Sequence, residues 1–444
     1  MAGRPPANYK RLIVLCDGTW QSILNVSSPS HPTNIARFAR AISPVAVIRE
    51  KDGKEREVEQ IVYYQPGVGS GIGDQIRGGV YGAGLSANIR AAYAFLAHNY
   101  DPDPGDEIFF FGFSRGAYTA RSIAGLVAKL GLLTKRGMDW FPQVYDEYYK
   151  DPTSRPDFDF SPTLKNLIGN DVNEKAKDAI KILGVWDTVE FHAEGWGGEK
   201  IEFHNAELST RIQYAYHALA LDERRVPFMP TLWQWPRDPN NGSQLYQPTS
   251  DGAGLQVMKQ VWFSGVHSDI GGGRYDPRGS DISLAWMLAQ CSKDKKLAFI
   301  DEDPEHMDDA AEFYLLPDRL KPNPNKHWNQ LGNRLVPEPS AGLVGDLEDA
   351  VENIAVEDRK AWPMANTFER IHRSIHDRNL HHWPCGMLDG RDQDGLWALV
   401  TPSNYGRALP ELERDEVADA IEDKYRGRIR AAPGSYGGPA IPKL

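Results

Sequence analysis

Short apolar runs recur along the chain in a pattern typical of buried β-strands. Each run is six or seven residues long and lies beside glycine, proline, aspartate or other turn-forming residues. The runs are nearly continuous in apolar residues, which indicates strands buried on both faces of a sheet. We therefore predict strands in RLIVLC (11–16), EQIVYYQ (59–65), EIFFFG (107–112), KILGVWD (181–187) and QVWFSGV (260–266).

Stretches with helical periodicity lie between these runs. The spacing of apolar residues predicts helices over 31–42, 85–100 and 281–291, and a further helix after Ser114. The glycine-rich residues 66–84 are predicted to form a loop. Because strands alternate with helices, the chain is expected to adopt an α/β fold, with a mostly parallel central sheet and helices on both faces.

The segment IFFFGFSRGAYTARSIAGLV (108–127) carries the most informative motif. A Gly-x-Ser-x-Gly pattern runs from Gly112 to Gly116, after a predicted strand and before a predicted helix. This placement is typical of the nucleophile elbow of α/β hydrolases. The two glycines lack Cβ and let strand and helix approach closely. Ser114 is then a predicted nucleophile, with the backbone N–H of Arg115 as a donor to an oxyanion; the alternative is a serine in an ordinary strand–helix turn.

A serine nucleophile needs a base, and the base needs an acid that orients it. In α/β hydrolases these follow in the chain order Ser, Asp or Glu, His. Asp187 ends one predicted strand and His267 follows another, so both fit this order. We predict a catalytic triad of Ser114, Asp187 and His267. As alternatives, Asp187 could cap a helix, and His267 could be a buried histidine with a structural hydrogen bond.

Two other segments are candidates for supporting roles. DGTW (17–20) follows the first predicted strand, so the N–H of Gly18 or Thr19 is expected to complete the oxyanion hole. Asp17 would shape this loop by accepting hydrogen bonds from neighbouring amides. Asp269 lies too close to His267 in sequence to hold its imidazole; we expect it to bind the glycine turn that follows or to pair with Arg115.

The predicted elements suggest one large domain with inserted segments. Residues 8–300 are expected to form the α/β-hydrolase catalytic core, with an insertion over about 135–178 that is polar and contains several prolines. Residues 301–444 are expected to form a C-terminal cap and outer helices on the same domain.

Composition narrows the classes of partner. The net charge is -11 over 444 residues, which argues against nucleic acid but not against ester or lipid substrates. No apolar run is long enough to span a membrane, so membrane contact is expected only as a transient surface encounter. The oligomeric state is left open.

Cysteine usage and the chain ends bear on cofactors and location. Cys16, Cys291 and Cys385 are isolated, which indicates neither a disulfide framework nor a zinc site. The amino-terminal sequence has no apolar signal region, so a cytoplasmic location is expected. The final Pro-Lys-Leu differs from the peroxisomal Ser-Lys-Leu in one residue, and a peroxisomal location is the alternative.

Four motifs in order resemble a known family of α/β hydrolases: LCDGTW, GFSRGA, GVWDTV and GVHSDIGGG. They are similar to the DUF2235 family, which includes the Tle1-like catalytic domain of type VI secretion phospholipase effectors. HALALDERR (217–225), MPTLW (229–233) and ERIHRSIHDR (369–378) also resemble family segments. The resemblance implies esterase or lipase chemistry without a cofactor, with the nucleophile on Ser114, the acid on Asp187 and the base on His267. The compact length is more similar to the fungal branch of the family.

Other functions have some support in the residues. LIVLCDGTW resembles the Asp-x-Asp-Gly-Thr motif of haloacid-dehalogenase phosphatases, but Leu15 stands where the nucleophilic aspartate is needed. A non-catalytic binding protein that retains the hydrolase fold is the main alternative. GVGSGIG (67–73) does not match a dinucleotide-binding motif in any register and is interpreted as a loop.

Histidine pairs near the carboxyl terminus raise the question of a metal site. His372 and His376 have the spacing of ligands on a helix, but no third ligand with fitting spacing is evident. We interpret this segment as a solvated or interface helix, and His381 and His382 in the same way.

Overall fold

The computed structural model describes part of the chain, and every structural statement below concerns that part. The described residues are 7–18, 32–50, 53–67, 80–150, 159–189, 208–221, 223, 225, 228–234, 256–263, 265–273, 278–300, 369–372, 388–391, 397–399, 408–409 and 415–431.

Thirteen strands and eight α-helices lie within these residues. The strands are β1 (Arg11–Cys16), β2 (Val45–Arg49), β3 (Glu55–Gln65), β4 (Glu107–Phe113), β5 (Leu132–Leu133), β6 (Val172–Asn173), β7 (Ile180–Trp186), β8 (Tyr214–Ala220), β9 (Val257–Phe263), β10 (Glu369–Ile371), β11 (Leu388–Arg391), β12 (Trp397–Leu399) and β13 (Ala408–Leu409). The helices are α1 (Asn34–Ala41), α2 (Val80–Asn99), α3 (Arg115–Leu130), α4 (Phe141–Lys150), α5 (Pro162–Ile168), α6 (His267–Gly271), α7 (Arg278–Ser292) and α8 (Glu416–Ala431).

Eight strands form one central sheet in the order β10-β9-β8-β7-β4-β1-β3-β2. All neighbours are parallel except β2, which pairs antiparallel with β3 at one edge. From β1 the chain builds the sheet toward β3 and β2, and it then crosses to β4 on the other side of β1. The strand order therefore reverses between β1 and β4, and ligands of open α/β sheets bind beside the carboxyl ends of strands at such a point.

Both faces of the sheet are buried, as the continuous apolar runs predicted. On β4, Ile108 and Phe110 join the cluster that includes α2 and α3, whereas Phe109, Phe111 and Phe113 join the cluster under α1 and α7. The alternation follows from the two-residue period of a strand. Helices cover both faces of a mostly parallel sheet, so the α/β-hydrolase-like fold class is confirmed.

The five predicted strands are present, with bounds shifted by up to four residues. Three further strands of the sheet were not predicted. β2 is a half-exposed edge strand, β10 is three residues long, and β8 has the sequence YAYHALA, which contains no β-branched residue. Central position between two parallel strands overrides the weak strand propensity of β8.

Two local predictions were wrong. α2 begins at Val80, so the predicted loop over 66–84 ends earlier than expected; most of its glycines lie outside the described residues. ERIHRSIHDR was interpreted as a helix, but residues 369–371 are β10, which pairs with β9.

The predicted insertion over 135–178 contains α4, α5 and the short β6. Buried residues of α4 and α5, including Phe141, Tyr148 and Leu164, join the same apolar cluster as α3. The domain boundaries given above stay a prediction.

Candidate active site

Ser114 occupies a sharp turn between the end of β4 and the start of α3. Its φ of 56° and ψ of -127° lie in a region that non-glycine residues rarely adopt. A Cβ on Gly112 would lie 2.5 Å from the Cα of Ala117, and a Cβ on Gly116 would lie 2.3 Å from the carbonyl oxygens of Cys16 and Asp17. Both glycines are therefore required for α3 to sit against the ends of β4 and β1.

Three predicted residues from separate strand ends meet at this turn. The hydroxyl of Ser114 lies 2.8 Å from Nε2 of His267, and Nδ1 of His267 lies 2.6 Å from Oδ2 of Asp187. A carboxylate can only accept, so opposite an ionised Asp187 the imidazole proton would be on Nδ1 and Nε2 would accept from the Ser114 hydroxyl. This tautomer suits removal of the serine proton.

Asp187 is held in one orientation by its surroundings. The residue is fully buried and has a φ of 40°. Its Oδ1 accepts from the backbone N–H of Ala220 at 3.0 Å, which leaves Oδ2 for His267. Asp187 does not cap a helix, because the residues that follow it extend to a bridge between Val189 and Pro230.

His267 is the first residue of α6 and is also buried. Phe113 packs on one side of the imidazole with ring centroids 4.6 Å apart, and Phe228 contacts it edge-on at 4.9 Å. Asp269 accepts from the backbone N–H of Val266 at 3.0 Å. The carboxylate of Asp269 therefore binds the turn before His267; the glycine turn after it and a pair with Arg115, which the sequence suggested, stay predictions.

Asp17 is the first residue after β1 and is buried. Its Oδ2 accepts from the hydroxyls of Thr33 at 2.9 Å and Tyr64 at 2.5 Å, and its Oδ1 accepts from the backbone N–H of Gly18 at 2.8 Å. Burial raises the pKa of Asp17 to about 6, although the three donors act in the opposite direction. Asp17 thus accepts from the amide of the residue that follows it and from two side chains that the sequence did not suggest.

Of the three predicted oxyanion donors, the structure describes Arg115 and Gly18. Arg115 is the first residue of α3, so its amide lies in the first helical turn beside Ser114. The N–H of Gly18 donates to Asp17. Gly18 nevertheless lies close to Ser114, because a Cβ built on Gly18 would be 3.5 Å from the Cβ of Ser114. Thr19 lies outside the described residues.

Sequence reasoning missed Glu223 and Phe228, which contact His267, and Arg225, which contacts both of them. Glu223 is buried, and its Oε2 accepts from the backbone N–H of His267 at 3.2 Å. Both Glu223 and Arg225 lie in HALALDERR, which the sequence linked only to a family resemblance. The available signal was an acidic residue shortly after a strand, but that strand, β8, was not predicted.

Of the carboxyl-terminal histidines, the structure describes His372, which contacts none of the residues at the Ser114 turn named above. His372 follows β10, stacks on Phe263 with centroids 4.3 Å apart, and lies 3.3 Å from Glu422 of α8. His376, His381, His382 and Cys385 lie outside the described residues. Among the residues that the structure places, no cluster of three His, Cys, Asp or Glu side chains could hold a metal ion.

None of the helices in the described ranges combines the length and apolar character needed to cross a bilayer.

Several known proteins are similar to this chain. An uncharacterized protein from Saccharomyces cerevisiae is 29% identical over 241 residues, which cover 49% of this chain and 32% of the yeast protein. The match thus spans about a third of that relative's length.

Two solved structures also match. The crystal structure of an uncharacterized protein from Pseudomonas aeruginosa has a TM-score of 0.37 and 17% identity, covering 64% of this chain and 46% of that one. The Tle1 effector bound to the VgrG spike of the type 6 secretion system has a TM-score of 0.31 and 20% identity, covering 61% and 52%. The family model described as "T6SS, Phospholipase effector Tle1-like, catalytic domain" matches residues 10–290. Since this match extends over more than half of the chain, the protein belongs to the family of Tle1-like catalytic domains.

Proposed function

We propose that the protein is a serine hydrolase that cleaves carboxylic esters of the lipid or phospholipid type. The observation that carries the proposal is the continuous hydrogen-bonded chain from Ser114 through His267 to Asp187, at the carboxyl edge of the sheet. Membership in a family named for phospholipase effectors supports a lipid ester as the substrate class.

The proposed reaction proceeds through an acyl-enzyme. His267 Nε2 takes the proton of the Ser114 hydroxyl as its oxygen attacks the ester carbonyl, and Asp187 stabilises the imidazolium that forms. The tetrahedral intermediate collapses as His267 returns the proton to the leaving alcohol. Water, deprotonated by His267, then attacks the acyl group and releases the acid and free Ser114.

The negative charge on the carbonyl oxygen needs at least two backbone donors. We assign one to Arg115, whose amide opens α3 beside Ser114. For the second we favour Thr19 over Gly18, because the Gly18 N–H already donates to Asp17. In this proposal Asp17 supports the loop and takes no part in proton transfer.

Replacement of Ser114 by Ala tests the proposal. The variant is expected to lose kcat by about 10⁴-fold or more, because no nucleophile remains. Turnover is measured on p-nitrophenyl esters, lysophospholipids and phospholipids, and a fluorophosphonate probe should label wild type but not the variant.

The panel also separates the alternatives. Unchanged ester turnover by S114A would rule out the mechanism. A wild-type protein that neither turns over the panel nor reacts with the probe would be a binding protein on a hydrolase fold.

A further inference from the structure

We propose that Glu223 positions the general base His267. In this proposal Arg225 holds the Glu223 carboxylate in place, and Phe228 limits rotation of the imidazole. The inference rests on the proposed serine-hydrolase function and deepens it. It concerns residues that do not touch the reacting atoms but set where the imidazole lies.

Glu223 binds the backbone of the base directly. His267 opens α6, so its N–H has no acceptor within the helix. Oε2 of Glu223 lies 3.2 Å from that nitrogen and supplies the acceptor. The carboxylate is 2% exposed, so this hydrogen bond forms away from water and fixes the backbone from which the imidazole extends.

Arg225 holds the carboxylate in place. Its Nε donates to Oε1 of Glu223 at 2.9 Å and its Nη2 donates to Oε2 at 2.8 Å, in a bidentate pair. The backbone N–H of Arg225 also donates to Oε1 at 2.9 Å. A buried carboxylate with this many donors has little rotational freedom.

Phe228 connects the ion pair back to the imidazole. The guanidinium of Arg225 lies 3.9 Å from the centroid of the Phe228 ring, within the range of a cation–π contact. That ring meets the imidazole of His267 edge-on with centroids 4.9 Å apart, and Phe113 also contacts the imidazole at 4.6 Å. Glu223 therefore fixes the backbone of His267, and Phe228 limits rotation of its side chain.

The end of β8 also holds the acid of the proposed triad. The N–H of Ala220 donates to Asp187, and the N–H of Leu221 donates to the carbonyl of Phe263 at the end of β9. Glu223 follows two residues later and binds His267. One short segment thus sets the positions of both partners of Ser114.

The first test replaces Glu223 by Ala and by Gln. Because a misplacement of about 1 Å can cost about 100-fold in rate, E223A should lower kcat by roughly 10- to 100-fold, with KM changed by less than about 3-fold. E223Q keeps an oxygen acceptor for the His267 N–H and should recover part of the loss. E107A is the matched control, because Glu107 also pairs with an arginine but lies at the start of β4, away from the carboxyl edge.

A double mutant separates positioning from a general loss of folded protein. If Glu223 acts through His267, E223A should have little further effect on the residual turnover of H267A. An equal loss in both backgrounds, or a kcat for E223A as high as that of E107A, would overturn the inference. If E223A does not fold, as judged by circular dichroism, F228L carries the same double-mutant test with the same two outcomes.

These results are distinguishable from failure of the proposed function. If S114A and H267A both keep the kcat of the wild type, the triad itself is refuted. Inactive S114A and H267A beside a fully active E223A would refute only the role of Glu223.

Discussion

Asp187→Asn should separate catalytic loss from structural loss. Asn tolerates the positive φ of 40° at this position, and its amide has the shape of the carboxylate. If the amide oxygen keeps the bond from the Ala220 N–H, the amide NH₂ faces Nδ1 of His267 and donates to it. The imidazole proton is then on Nε2, which can no longer accept the proton of Ser114.

The expected loss follows from this change of tautomer. A triad with the wrong tautomer loses about 10⁴-fold in kcat, which corresponds to about 5.5 kcal/mol in the activation barrier. The free energy of unfolding should change by only about 1 kcal/mol, because the buried hydrogen-bond partners stay paired. Asp187→Ala is the contrasting variant: it removes the acceptor that Ala220 N–H and His267 Nδ1 both use and should cost about 1–3 kcal/mol for each lost hydrogen bond.

The assay measures kcat on a p-nitrophenyl ester beside urea unfolding of both variants and the wild type. The reasoning is refuted if D187N keeps more than about a tenth of wild-type kcat, since the 2.6 Å contact with His267 would then not set its tautomer. It is also refuted if D187N is as unstable as D187A.

Further predictions concern the turn and the loop beside Ser114. Gly116→Ala should destabilise the protein by about 3 kcal/mol, because the new Cβ meets backbone at 2.3 Å, and urea unfolding measures the loss. Gly125→Ala in the same helix is the control; its Cβ would meet only the Tyr148 hydroxyl at 3.4 Å, and it should stabilise by up to about 1 kcal/mol. A G116A protein as stable as G125A would contradict the close approach of α3 to β1. For Asp17, a folded-state pKa of about 6 lies above the unfolded value of about 3.9, so the folded state binds the proton more tightly and stability falls as pH rises from about 4 to 6. The difference in unfolding free energy between wild type and Asp17→Asn should therefore fall by roughly 2 to 3 kcal/mol across this interval. If this difference stays flat or rises with pH, the burial of the Asp17 carboxyl is contradicted.

The sequence alone was sufficient for the strands that carry the proposed triad. Apolar runs such as EIFFFG and KILGVWD mark buried strands locally; Ser114 and His267 come after such runs, and Asp187 ends one. Parallel strands end at the same edge of a sheet, so residues at their carboxyl ends converge without any detailed knowledge of packing. The glycines of the elbow could also be interpreted locally, because a close approach of strand and helix excludes a Cβ.

The tertiary structure decided what surrounds these residues. The weakly strand-forming YAYHALA becomes β8 only because β7 and β9 lie on either side of it. Glu223 reaches the amide of His267 across 44 residues, and Tyr64 reaches Asp17 across 47. Such contacts depend on how distant elements pack and leave no periodic trace in the chain. The pattern of apolar residues reports only local conformation and which faces are buried, whereas the partner of a buried polar group is set by the three-dimensional arrangement of segments far apart in sequence.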